Sequence, residues 1–95
     1  MFTIQLTSQT QKDIKRLSPE VQKYIFDKIF PLLKTNPKFM AQRLKGELSY
    51  LWKYRFSFKS VAYRIVYEIR EKELIVLVFA VGTRENFYKD LRRRK

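Results

Sequence analysis

The sequence contains no cysteine and no histidine. Zinc fingers, cysteine nucleophiles and serine–histidine nucleophile systems all need one of these residues, so we expect none of those sites. RNA cleavage by a pair of histidines is excluded for the same reason. The absence of disulfides leaves the redox compartment undetermined.

Glycine and proline are scarce, with 2 and 3 residues, so no linker is expected and residues 1–95 are predicted to form a single domain. The longest apolar run, Leu74 to Val81, is far shorter than the ~20 residues that span a bilayer. The first twelve residues also lack the basic and apolar regions of a signal peptide. We therefore expect a soluble, cytoplasmic protein without a membrane partner.

Acidic residues are few, since 9 Asp and Glu stand against 21 Lys and Arg and the formal net charge is +12. This imbalance predicts an anionic partner, which can be a nucleic acid, an acidic protein or a membrane surface. Charge alone does not choose among the three. The apolar content of 45% is sufficient for one core and argues against disorder.

The predicted order of elements is one strand, two helices and three strands, with a possible short helix at the C-terminal end. A capping-box pattern at Ser8 opens the first helix, and Ser18 followed by Pro19 opens the second. Pro31 should kink or shorten that helix. The order predicts an α+β domain in which the first strand joins a three-stranded antiparallel meander in one sheet. The helices should cover one face and leave the other open, with the apolar strand Leu74 to Val81 at the sheet centre.

The stretch from Leu51 to Tyr67 alternates with the two-residue period of a strand. One face carries Trp52, Tyr54, Phe56 and Phe58, which should be core, and the other carries Lys53, Arg55, Ser57 and Lys59. A hairpin through Ser57 to Ala62 would place Arg64 on the same face as Lys53 and Arg55. Three cations on a rigid sheet suit a phosphate ligand. Alternatively, Lys53 and Arg55 form an ordinary solvated face and Arg64 pairs with Glu68 or Glu47.

Several short segments resemble the RelE branch of the RelE/ParE toxin superfamily. They are Arg43-Leu44-Lys45-Gly46, Trp52-Lys53-Tyr54-Arg55, Ala62-Tyr63-Arg64-Ile65-Val66-Tyr67, Ala80-Val81-Gly82-Thr83-Arg84 and Tyr88. The resemblance implies a toxin of a type II toxin–antitoxin module that cleaves messenger RNA in the A site of the 70S ribosome, without a metal or a small-molecule cofactor. It also implies a cognate antitoxin as partner.

Carried over by motif, the family's catalytic residues correspond to Lys53, Arg55, Arg64, Arg84 and Tyr88. Arg55 departs from the pattern, because lysine is common at its position, and the hairpin looks longer than in the best-known member. Cleavage by the ribose 2′-OH needs a base, and Lys53 is the candidate because neighbouring cations disfavour the charged form of a lysine. Arg55 and Arg64 would grip phosphate oxygens.

Arg84 would lie by the leaving oxygen, and Tyr88 would stack on a base or handle protons. Additional RNA contacts are predicted for Lys45, Lys59, Arg92 and Arg93, although the run from Arg92 to Lys95 should be a solvated tail. Two other functions stay open: a ParE-like toxin that inhibits DNA gyrase, and a non-catalytic RNA-binding domain.

Overall fold

The computed structural model describes residues 1–83 and 91–94. Its elements are β1 (Thr3–Leu6), α1 (Ser8–Lys15), α2 (Pro19–Tyr24), a π-helical segment (Ile25–Ile29), α3 (Phe30–Thr35), β2 (Gln42–Arg43), a 3₁₀ turn (Gly46–Leu48), β3 (Trp52–Phe58), β4 (Val61–Arg70) and β5 (Ile75–Gly82). Residues 91–93 are also helical.

The first two helices begin at residues whose side chains cap a free backbone N–H. Thr7 caps α1 by accepting a hydrogen bond from the N–H three residues later at 3.1 Å, so the cap predicted at Ser8 is wrong by one residue. Ser18 caps α2 by accepting from the N–H of Val21 at 3.4 Å, and Pro19 occupies the first helical position. The predicted start of the second helix is therefore confirmed.

Pro31 does not end the helical region. The π-helical segment precedes it, and there the N–H of Phe30 bonds to the carbonyl of Ile25, five residues back. The wider turn accommodates proline, which has no N–H and whose ring would clash with the carbonyl four residues earlier in a regular helix. The second predicted helix thus becomes α2 and α3, joined by the π-helical segment, and helical structure continues to Thr35.

The strands form one mixed sheet in the order β1-β5-β4-β3-β2. The antiparallel meander of β3, β4 and β5 is confirmed, but β1 joins it parallel to β5, with Thr3 opposite Ile75. A fifth strand, β2, has only two residues and pairs with β3, so the prediction of four strands is corrected. The middle strand is β4, whereas β5 was expected at the centre.

The larger core lies between the helices and one face of the sheet. Phe56 of β3 belongs to it, and Trp52, Tyr54 and Phe58 are partly buried against it, so the aromatic face of β3 contributes to the core as predicted. Phe56 stacks on Tyr63 with ring centroids 5.3 Å apart. Tyr67 is fully buried here and its phenol donates a hydrogen bond to the carbonyl of Pro37 at 2.6 Å.

A β-bulge at Phe79 decides which residues of β5 face the helices. Val66 and Tyr67 are adjacent in β4, but their partners Ala80 and Val78 are two positions apart, so Phe79 is an extra residue. Val78 faces the helices, whereas Ala80 faces the opposite side. A second cluster is buried there, comprising Leu48, Leu51, Val66, Ala80 and Leu91. The face predicted to be open is therefore partly covered.

Candidate anion-binding site

The register of the hairpin brings three predicted cations together. Arg55 of β3 and Arg64 of β4 are direct partners, and Lys53 lies two residues from Arg55, opposite Val66. Side chains that face each other across an antiparallel pair have Cβ atoms about 5 Å apart, and same-face neighbours along a strand are about 7 Å apart. Lys53, Arg55 and Arg64 thus form a compact group, here called the cation row, on the sheet face opposite the helices.

The turn at Lys59 and Ser60 fixes this register. Both residues have positive φ, 49° and 68°, as a two-residue hairpin turn that matches the sheet twist requires. Lys59 was predicted to share the cation face, but it lies in the turn and its ammonium pairs with Glu20 of α2 on the helix-covered side. The structure thus places Lys59 apart from the cation row.

Arg64 is half-buried and held by backbone. Its Nη1 donates a hydrogen bond to the carbonyl of Thr83 at 2.9 Å. Its partner in β5 is Gly82, which has no side chain. Its Nε is buried and has no hydrogen-bond partner among the described residues. Glu68, proposed as an alternative partner for Arg64, bonds to Arg70 instead, at 3.4 Å.

The arrangement is electrostatically unfavourable without a ligand. Like charges directly opposite each other on a sheet destabilise it by about 0.2–1 kcal/mol relative to neutral residues. An oxyanion between Arg55 and Arg64 would turn that repulsion into charge-assisted hydrogen bonds from both guanidinium groups. The cation row is therefore better suited to holding an anion than to stabilising the fold.

The remaining predicted site residues lie outside β3 and β4, the two strands that carry the cation row. Arg84 and Tyr88 lie outside the described residues, although Thr83, bonded to Arg64, directly precedes Arg84. Lys45 is exposed just before the 3₁₀ turn. Arg92 and Arg93 are exposed in the helical segment 91–93.

The run from Arg92 to Lys95 was predicted to be a solvated tail, and this prediction is wrong for Arg94. Its guanidinium makes two hydrogen bonds to the carboxylate of Asp13 in α1, at 2.7 Å and 2.9 Å, and one to the carbonyl of Phe79 at 3.1 Å. The side chain of Arg94 is only 13% exposed and that of Asp13 only 8%. The available sequence signal was the three-residue spacing of Leu91 and Arg94, which puts an apolar and a basic residue on one helix face.

Residues 1–83 and 91–94 contain no group of three or more acidic, histidine or cysteine side chains that could hold a metal ion. No helix in the same part of the chain is long and apolar enough to cross a membrane.

The sequence matches the model of a known protein family. Residues 4–92 match the model of a family described as ParE-like toxin of type II bacterial toxin–antitoxin system. No protein of curated function matches the sequence significantly.

Several solved structures share the fold. The RelBE2 toxin–antitoxin complex of Mycobacterium tuberculosis matches with a TM-score of 0.78 and 23% identity over 87% of this chain and 98% of that chain. The isolated RelE toxin of E. coli matches with a TM-score of 0.68 and 22% identity over 99% and 98% of the two chains. The YoeB/ParE toxin of Agrobacterium tumefaciens matches with a TM-score of 0.67 and 18% identity over 88% of this chain and 100% of that chain.

Proposed function

Because the chain belongs to the family of ParE-like toxins of type II bacterial toxin–antitoxin systems, we propose that it acts as a toxin by cleaving messenger RNA. The observation that carries this proposal is the direct pairing of Arg55 with Arg64, beside Lys53. Two arginines in register can bind the non-bridging oxygens of one phosphate through charge-assisted hydrogen bonds. Cleavage of a phosphodiester needs positive charge where the phosphorane develops.

In the proposed reaction the ribose 2′-OH attacks the neighbouring phosphate, a cyclic phosphate forms, and the 5′-oxygen of the next nucleotide leaves. Lys53 accepts the proton of the hydroxyl, for which it must first be neutral. Arg55 and Arg64 bind the non-bridging oxygens, since a guanidinium stays protonated and offers several donors in one plane. The bond from Arg64 to Thr83 fixes one edge of its guanidinium.

The resemblance to RelE toxins assigns the last two roles. Arg84 stabilises the leaving oxygen, and Tyr88 stacks on a base next to the scissile phosphate and holds it in line. Lys45, Lys59, Arg92 and Arg93 add long-range attraction for RNA, which should weaken as salt increases. The proposed setting is the A site of the 70S ribosome.

The proposed protein partner is an antitoxin, because the fold matches include a complex of a RelE toxin variant with an antitoxin RelB peptide. With a net charge of +12, this chain would favour an acidic, amphipathic antitoxin segment. We propose that the antitoxin segment covers the helices or a sheet edge and displaces the part of this chain that follows β5 and carries Tyr88, here called the C-terminal segment. An apolar groove of about 490 Å³ beside β1, lined by Ile4, Phe26, Phe30 and other residues, is available for its apolar side chains. A complex in which both the groove and the C-terminal segment are unchanged would contradict this mode of inhibition.

The experiment that tests the proposed activity is primer extension on a defined messenger during induced expression. Wild type should produce cuts in phase with codons, and Arg64→Ala and Arg84→Ala should abolish them at equal protein levels. Arg70→Ala is the matched control, because Arg70 is an exposed arginine at the far end of the same strand. If growth stops without any cuts, and it also stops in the Arg64 and Arg84 variants, the proposed nuclease activity is refuted and inhibition of gyrase is favoured.

A further inference from the structure

The β5 bulge is held from outside the sheet by α1 and the C-terminal segment. A bulge interrupts the ladder, so the backbone groups beside it need partners elsewhere. The carbonyl of Val78 accepts a hydrogen bond from the hydroxyl of Thr10 at 2.7 Å. The carbonyl of Phe79 accepts from Arg94, and the N–H of Val81 donates to the carboxylate of Asp13 at 3.1 Å. Asp13 and Arg94, bonded to each other, therefore bind β5 at the bulged residue Phe79 and two residues after it.

The bulge in turn determines the surroundings of Arg64. Without the extra residue, Ala80 and Gly82 would face the helices along with Val78, because side chains alternate along a strand. With it, Gly82 lies beside Arg64, and the next residue, Thr83, accepts the hydrogen bond of its guanidinium. Only Gly82 lies between Val81, whose N–H Asp13 binds, and Thr83, whose carbonyl Arg64 binds.

The same ion pair anchors the chain beyond the sheet. Leu91 is 2% exposed in the second cluster, and Arg94, one helical turn later, is bound to Asp13. On the other side, Thr83 is bound to Arg64. The stretch that carries the proposed residues Arg84 and Tyr88 thus begins and ends at anchored positions.

We propose that Asp13 and Arg94 are a positioning pair for the cation row: they hold the β5 bulge and the C-terminal segment in the arrangement that aligns Arg64 with the scissile phosphate. Neither residue touches RNA in this proposal, which rests on the nuclease function proposed above. A misplacement of about 1 Å can cost about 100-fold in rate, so loss of the pair should lower kcat by about tenfold or more. KM should change less than about twofold, because the surface cations that attract RNA are unaffected.

The test compares Arg94→Gln and Asp13→Asn with two controls in a reconstituted translation system that contains a defined messenger. Arg70→Gln removes the same charge from an exposed residue at the far end of β4, which has no role in the proposed site. Leu33→Ala destabilises the fold through a buried position in α3. All variants are assayed at a temperature at which each is folded, and hydrogen exchange of the amides of residues 81–83 is measured on the same samples. Arg94→Lys keeps the charge without the two-pronged geometry and serves if Arg94→Gln does not fold.

Support would be faster exchange at residues 81–83 and a lower kcat in the Asp13 and Arg94 variants alone. Exchange unchanged relative to wild type, or a kcat loss no larger than that of Leu33→Ala, would overturn the positioning role. If wild type cleaves no messenger, the proposed function fails and the positioning role falls with it. The exchange data would then still report whether the pair fixes the strand, so the two failures are distinguishable.

Discussion

Replacing Arg55 by glutamine should make the protein more stable, although it removes a proposed catalytic residue. Arg55 and Arg64 face each other across β3 and β4, so the folded state contains a repulsion that the unfolded chain lacks. Two unit charges about 6 Å apart repel by about 0.7 kcal/mol in water, within the range of about 0.2–1 kcal/mol for cross-strand pairs. For a domain of this size, about 0.5 kcal/mol corresponds to an increase in Tm of about 2–4 °C.

The assay is thermal unfolding of wild type and Arg55→Gln at low and high salt. At an ionic strength of about 1 M the Debye length is only about 3 Å, so the difference in Tm should largely disappear. Arg70→Gln is the matched control, because it removes the same charge from β4 at a site where Glu68 lies 3.4 Å away. This variant should have a Tm equal to or slightly below that of wild type. A Tm of Arg55→Gln that is unchanged or lower at low salt would refute the claim that the cation row is strained without an anion.

Two other predictions concern stability alone. Burial raises the pKa of Tyr67 above its usual value of about 10, so the folded state keeps a proton that the unfolded state releases in alkali. The free energy of unfolding, measured with urea, should therefore fall in wild type towards that of Tyr67→Phe as the pH rises through about 10. The expected slope is up to about 1.4 kcal/mol per pH unit. A difference between the two proteins that does not change with pH would contradict this. Ser18→Ala should cost about 1 kcal/mol in the same assay because it removes the cap of α2, whereas Ser8→Ala should cost much less because Thr7 caps α1. Equal losses in the two serine variants would contradict the assigned caps.

Alternation made the two faces of the β3–β4 hairpin predictable from sequence. Side chains alternate between the two faces of a strand, so polar residues at every second position identify the solvent face and therefore the register. The placement of Lys53, Arg55 and Arg64 on one face followed directly from this. Lys59 did not follow the pattern because the strand ends at Phe58 and the turn carries Lys59 out of the alternation.

Other features left no such signal. The run from Leu74 to Val81 is apolar throughout, so no polar residue marks where the bulge at Phe79 exchanges the two faces. The direction of β1 relative to β5 is likewise absent from the pattern, because parallel and antiparallel strands can share one alternation. Two residues are too few for β2 to show any period. Arg94 was concealed in a run of four basic residues, since only a contact distant in sequence, with Asp13, distinguishes it from its neighbours.

The pairing of β1 with β5 also sets the order in which the sheet can be completed. Thr3 pairs with Ile75, so residues 7–74 separate the two strands. The ribosome makes the chain from its N-terminal end, and β1 therefore waits, without a neighbour, until β5 has been made. Closing so long a segment costs more conformational entropy than closing the hairpin of β3 and β4. The hairpin that carries the three cations can thus form early, whereas β5, whose Gly82 is the partner of Arg64, joins the sheet late in synthesis.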